Sequence, residues 1–118
     1  MPYSTIRRTE LPAVVTAFLA SDATSSPQAT AELFTDQAVV LDDGRTYRGR
    51  EAILGWRKGA ARAFSYTKTM RSARQRGPLI EIVECLEGDF PGGRVDLRST
   101  FTVEPAGLIS SLRITVAD

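Results

Sequence analysis

Histidine is missing from this sequence altogether, and that absence excludes more chemistry than any residue present. Without an imidazole there is no Ser-His-Asp or Cys-His catalysis, no histidine general base and no zinc site built on histidine. Cysteine is nearly missing too. The single Cys85 cannot close an internal disulfide, which suits a reducing compartment, and with no histidine to activate it the thiol reads as a small hydrophobe. An excess of charge is also lacking: fifteen Lys and Arg against fourteen Asp and Glu leave a net charge of +1, too little for a field that holds nucleic acid or an anionic membrane. No apolar run reaches membrane-spanning length, and Arg7 and Arg8 are not followed by a signal-peptide core, so a cytoplasmic protein is expected. Neither a metal nor a cofactor is expected, and any chemistry falls to carboxylates, hydroxyls, Arg, Lys or one thiol.

What is present is ordinary for a folded domain. Hydrophobic residues make up 42% and charged residues 25% of 118, enough for one core and one domain spanning residues 1–118. Leu11, Val14, Val15, Phe18 and Leu19 recur at helical spacing, predicting a helix over about 9–22 with Thr9 as cap and Pro12 in its first turn. Ser26-Pro27 announces a second helix over about 26–34. Ala38-Val39-Val40-Leu41 reads as a strand over 38–42, stopped by the hairpin signal Asp42-Asp43-Gly44 and returning over 45–48. Gly49 opens a third helix over about 49–63, with Ile53, Trp56, Ala60 and Ala63 along one side.

From Phe64 the apolar period changes to two. Strands are predicted over about 64–75, 79–88, 94–104 and 107–117, separated by Arg76-Gly77-Pro78, Pro91-Gly92-Gly93 and Pro105-Ala106-Gly107. Three helices followed by hairpin-linked strands make the class α+β, an antiparallel sheet of about five to six strands with the helices packed on one face. Strand phasing turns Val95, Leu97, Phe101 and Val103 inward, with Ser99 the polar member of that row, and Glu84 interrupts the row Ile80, Ile82, Leu86. Val83 and Cys85 on the opposite row suggest that both faces of the sheet are partly covered, as in a homodimer.

The order of elements, the stretch Phe34-Thr35-Asp36-Gln37-Ala38-Val39-Val40-Leu41-Asp42-Asp43-Gly44, the helix start Tyr47-Arg48-Gly49-Arg50-Glu51-Ala52-Ile53 and the closing Gly107-Leu108-Ile109-Ser110-Ser111-Leu112-Arg113-Ile114 resemble the nuclear transport factor 2-like superfamily, and within it the SnoaL-like group. The resemblance covers nearly the whole chain. It implies a cystatin-like cone with a curved sheet, usually a homodimer, whose mouth admits a small apolar or aromatic ligand. The superfamily includes steroid isomerases, polyketide cyclases, dehydratases, epoxide hydrolases and noncatalytic binding proteins.

Matched to the steroid isomerase branch, Asp42 falls where that branch has its general base, a carboxylate that takes a proton beside a carbonyl. The same match puts Phe18 in place of an oxyanion-stabilising Tyr and Ser99 in place of a protonated Asp. Removing one such donor typically costs on the order of 100-fold in rate, so ketosteroid isomerisation itself is not expected. The epoxide hydrolase pattern finds Ile82, Glu84 and Ile114 at its three polar positions, which leaves one carboxylate, and the dehydratase branch needs histidines. The resemblance implies Asp42 as catalytic base and a pocket lined by Phe18, Phe34, Trp56, Glu84, Leu97, Ser99, Phe101 and Leu112. Each residue also has a plainer reading: Asp42 as a turn former, Glu84 as an interface residue or partner of Arg98, Ser99 bonded to backbone, and the aromatics as core. Two functions therefore stand side by side, a small-molecule enzyme of isomerase or cyclase type and a noncatalytic ligand-binding or dimeric interaction module.

Overall fold

The computed structural model describes residues 2–21, 25–60 and 66–117. A short strand β1 (Ser4–Thr5) and a 3₁₀ turn (Arg8–Glu10) precede α1 (Ala13–Ala20) and α2 (Pro27–Ala31). Next come β2 (Phe34–Asp42), β3 (Arg45–Arg48) and α3 (Arg50–Ala60). The remainder is β4 (Tyr66–Arg76), β5 (Leu79–Gly88), β6 (Arg94–Val103) and β7 (Ile109–Val116).

The first helix begins four residues later than its apolar stripe suggests. Proline disfavours helical backbone in the residue before it, and Leu11 is extended at φ −67° and ψ 143°. Thr9 consequently lies in a separate turn that Arg7 and Glu10 close through the Arg7 N–H and the Glu10 carboxylate at 2.8 Å, while Pro12 itself is the N-cap of α1. In α2 the Ser26 hydroxyl accepts the Ala29 N–H at 3.2 Å, as its Ser-Pro start predicts. That helix stops at Ala31 rather than running to Phe34 because Phe34 is drawn into the sheet. It pairs with Ile109, and the Arg50 guanidinium donates to its carbonyl at 2.8 Å. The predicted ends at 22 and at 61–63, and the strand start at 64–65, lie outside the described residues.

One sheet contains seven strands among the described residues, in the order β1-β4-β5-β6-β7-β2-β3. Pairing is antiparallel throughout except between β2 and β7, which run parallel from Val39 opposite Ser111 to Asp42 opposite Ile114. The wholly antiparallel expectation is corrected at this point. A hairpin, a helix and three strands separate β2 from β7, a connection long enough to return the chain in either direction. The β2–β3 hairpin turns through Asp43 at φ 52° and Gly44 at φ 73°, left-handed values that an Asp-Gly pair tolerates.

Helices α1 and α3 cover the concave face of the curved sheet. Val14, Val15 and Phe18 of α1 and Ile53 and Trp56 of α3 meet Val40, Ile80, Ile82, Phe101 and Leu112 in one buried cluster. Gly49 locks α3 onto the sheet: its N–H donates to the Ala38 carbonyl at 2.8 Å, and its φ of +87° is a conformation side chains resist. The opposite face is not simply solvated. Cys85 and Glu81 are both buried there, Glu81 with 7% of its surface exposed. Arg74 donates through both Nε and Nη2 to one oxygen, Glu81 Oε1, and Arg98 approaches the same oxygen at 3.7 Å. Arg98 therefore partners Glu81 rather than Glu84, since it stands opposite Val83 on the outward row.

Candidate functional site

The register places Asp42 on the concave face by direct steps. Asp42 stands opposite Ile114, Ile114 opposite Ser99, Ser99 opposite Ile82, and Ile82 opposite Ala73. This is one row of side chains running across the sheet, apolar apart from Asp42 and Ser99. Strands lie about 4.8 Å apart, so a carboxylate on β2 and a hydroxyl on β6 are separated by roughly 10 Å along the sheet. Val116, Leu97, Glu84 and Met70 form the next row, one pleat nearer the open end. Val116 is 63% exposed, so this row is uncovered at its β7 end.

Asp42 is held rather than left to swing in its turn. The Trp56 indole N–H donates to Asp42 Oδ2 at 3.0 Å, which leaves Oδ1 as the oxygen the indole does not engage. Trp56 is itself fixed by packing. Its ring is nearly parallel to that of Phe18 at a centroid distance of 6.2 Å, and the Arg57 guanidinium lies 5.2 Å above it. Phe18 in turn meets Phe101 edge-on at 5.5 Å and Phe34 at 5.9 Å. The structure thus brings Asp42, Trp56, Phe18, Phe34 and Phe101 into one connected cluster, with Ser99, 7% exposed, along the same row and Leu112 buried beneath. These rings are buried against one another, so within this cluster it is the half-buried Asp42 carboxylate that can meet a carbon acid and accept its proton.

Glu84 faces different surroundings. It lines a cavity of about 220 Å³ together with Arg8, Leu11, Thr16, Leu19, Ala20, Lys68 and Met70. Of the residues expected from sequence to line a pocket, Glu84 alone lines this one; Phe18, Phe34, Trp56, Leu97, Ser99, Phe101 and Leu112 do not. Burial pushes the Glu84 carboxyl above its usual range, and the opposing pull of Lys68 and then Arg8 is not enough to reverse it. The Lys68 ammonium is anchored by the α1 terminus, donating to the carbonyls of Leu19 at 2.7 Å and Ser21 at 3.3 Å. Sequence reasoning passed over Lys68 and Arg8. The register puts Lys68 opposite Leu86 on the inward row of β4, but an irregularity between Met70 and Ser72 breaks the alternation that would have shown it, and nothing local says that α1 ends above it.

Among the described residues no group of three or more Cys, Asp or Glu could hold a metal ion, and no helix is long and apolar enough to cross a membrane.

No protein-family model and no curated protein matches the sequence. Solved structures do match. A candidate polyketide cyclase from Sinorhizobium meliloti is 31% identical, with a TM-score of 0.83 over 93% of this chain and 100% of that one. A protein with a ketosteroid isomerase-like fold from Catenulispora acidiphila, solved in complex with trimethylamine, is 24% identical, with a TM-score of 0.76 over 88% of this chain and 85% of that one. The epoxide hydrolase/cyclase-like enzyme SalBIII, of pyran ring formation in salinomycin, is 20% identical, with a TM-score of 0.73 over 88% of each chain. Identity that spans an entire related chain, on the same cone of helices and curved sheet, shows that this protein belongs to the SnoaL-like group of the nuclear transport factor 2-like superfamily.

Proposed function

We propose that the protein binds a small, largely apolar or aromatic carbonyl compound at the half-buried Asp42 end of the concave face and moves a proton on it, with Asp42 as the base. The observation that carries this reading is the Asp42 carboxylate fixed at 3.0 Å by the Trp56 indole beside a wall of aromatic rings. An acid oriented by one hydrogen bond keeps its other oxygen aimed, which is what proton abstraction from carbon requires. Ser99, on the same row, is suited to position the ligand through its hydroxyl. Phe18 offers no hydrogen bond to a developing enolate oxygen, so the compounds best served carry activated C–H bonds, such as polyketide-type dicarbonyls. The similarity to a candidate polyketide cyclase and to an epoxide hydrolase/cyclase-like enzyme supports a reaction of isomerase or cyclase type.

A thermal-shift screen of ketones, aromatic polyketides, steroids and terpenes identifies binders, since a ligand held only by the folded state raises its stability. Deuterium exchange at the carbon beside the carbonyl, followed by NMR on the best binder, then measures proton abstraction. Asp42→Asn is expected to slow exchange about 100-fold or more. Exchange at the wild-type rate in that variant removes Asp42 as the base. A screen without a single binder favours the noncatalytic interaction module instead.

A further inference from the structure

The cavity at Glu84 has a composition that the Asp42 reading does not use. It lies between α1 and the β4–β5 half of the sheet, roofed by Leu11 and Leu19, walled by Met70 and Ala20, and open to solvent at the exposed Arg8 and Thr16. An apolar protein cavity of roughly 150 Å³ accepts benzene. At about 220 Å³ this one has room for a single ring with a short substituent and is too small to enclose a fused four-ring skeleton.

Its charges are unbalanced. Arg8 of the 3₁₀ turn and Lys68 of β4 face Glu84, Leu11 follows that turn, α1 contributes only Thr16, Leu19 and Ala20, and β6 places Leu97 opposite. Lys68 is not free to leave, because the carbonyls of Leu19 and of Ser21, just past the end of α1, hold it. An ammonium has three N–H donors, so one remains beyond those two bonds, and Arg8 adds a guanidinium fork at the mouth. Two fixed or nearby cations against one acid, beside an apolar slot of one-ring size, suit an organic anion whose hydrocarbon body enters and whose charge stays at the rim.

We propose that this cavity is a ligand site separate from the Asp42 row, and that it takes a small monocarboxylate with an aromatic or branched apolar body, its carboxylate set between Arg8 and Lys68. Glu84 tunes the site. Protonated, it donates a hydrogen bond to the ligand carboxylate; ionised, it repels it. Because burial raises the Glu84 pKa, the protonated form persists above the usual carboxylate range, and affinity falls as pH rises through that value.

Benzoate, benzamide and benzylamine share one size and carry charges of −1, 0 and +1, so calorimetric or NMR titration of the whole chain with the three probes tests the assignment. Benzoate is expected to bind about tenfold or more tightly than either other probe, the effect of one charge-assisted hydrogen bond. Its affinity should drop as pH rises above the usual carboxylate range, a drop that Glu84→Gln abolishes by keeping the group neutral. Thr16→Trp, on an exposed position of α1, should block all binding while circular dichroism stays unchanged. Asp42→Asn should leave benzoate binding intact, which keeps this outcome independent of the Asp42 reading. Preference for benzylamine, binding unaffected by Thr16→Trp, or a pH profile unmoved by Glu84→Gln overturns the proposal.

Discussion

Replacing Trp56 by Phe should weaken the fold and unfix Asp42 together, and the structure separates the two effects. The indole N–H bonded to Asp42 Oδ2 at 3.0 Å is a hydrogen bond to a charged group, worth about 1.5–3 kcal/mol when water is excluded. Asp42 is only half-buried, so water recovers part of that, and about 1–1.5 kcal/mol is the expected loss. Trimming a buried indole to a phenyl ring also leaves a gap against Phe18, adding about 1 kcal/mol. The sum of about 2–2.5 kcal/mol should lower the urea midpoint by roughly 1 M for a domain of this size. A double-mutant cycle with Asp42→Ala isolates the polar part. The packing loss cancels, and the coupling should be about 1–1.5 kcal/mol. Because Trp56 is the sole tryptophan, unfolding of the variants must be followed by circular dichroism. A coupling below about 0.5 kcal/mol would refute the claim that the indole holds the carboxylate, and with it the geometric basis for Asp42 as an oriented base.

Two further outcomes follow from carboxylates on opposite faces of the sheet, Glu84 half-buried and Glu81 buried. Glu84 is raised by burial, so the folded state binds its proton more tightly than the unfolded chain does; the stabilisation is complete below the usual carboxylate pKa of 4.5 and is lost as pH rises through the folded value. Glu84→Gln should therefore gain stability relative to wild type as pH rises from 4.5 through the raised folded value in paired denaturation curves, and a constant difference contradicts the assigned cause. On the outer face, Glu81→Ala leaves Arg74 and Arg98 facing each other without their anion. Losing one partner of a buried pair costs several kcal/mol, but these arginines are about 40% exposed, so water limits the expected loss to about 1–2 kcal/mol, readable as a lowered Tm.

Much of the fold was legible because it is written in local patterns. Ser26-Pro27 marks a helix start through a hydroxyl and a ring that act within one turn, and Asp43-Gly44 marks a hairpin through two backbone angles. The alternation of Val95, Leu97, Ser99 and Phe101 fixes which face each side chain takes. The misplaced boundaries are those where tertiary contacts overrule propensity: Phe34 leaves a plausible helix because Ile109, far along the chain, needs it as a partner. On the outward row of β5, Val83 and Cys85 pointed to a partly covered face, but not to the burial of the acid beside them. Glu81 gave no sign in the sequence of being buried, because the two arginines that cover it come from β4 and β6.

Asp42 shows the same division within the candidate site. Its place at the end of a strand, followed by a tight turn, came from the residues around it, and its resemblance to a general base came from the segment Phe34 to Asp42. That its carboxylate meets the Trp56 indole depends on α3 folding back across the hairpin, which no spacing specifies. The cavity at Glu84 goes further still, since Arg8, Leu19, Lys68 and Glu84 come from four separate elements. By itself the sequence determined periods, turns and faces, which short-range sterics and the hydrophobic effect enforce residue by residue. Only the tertiary structure decided the parallel pairing of β2 with β7 and which charges share a cavity, because those depend on closing long loops so that distant elements bury one another.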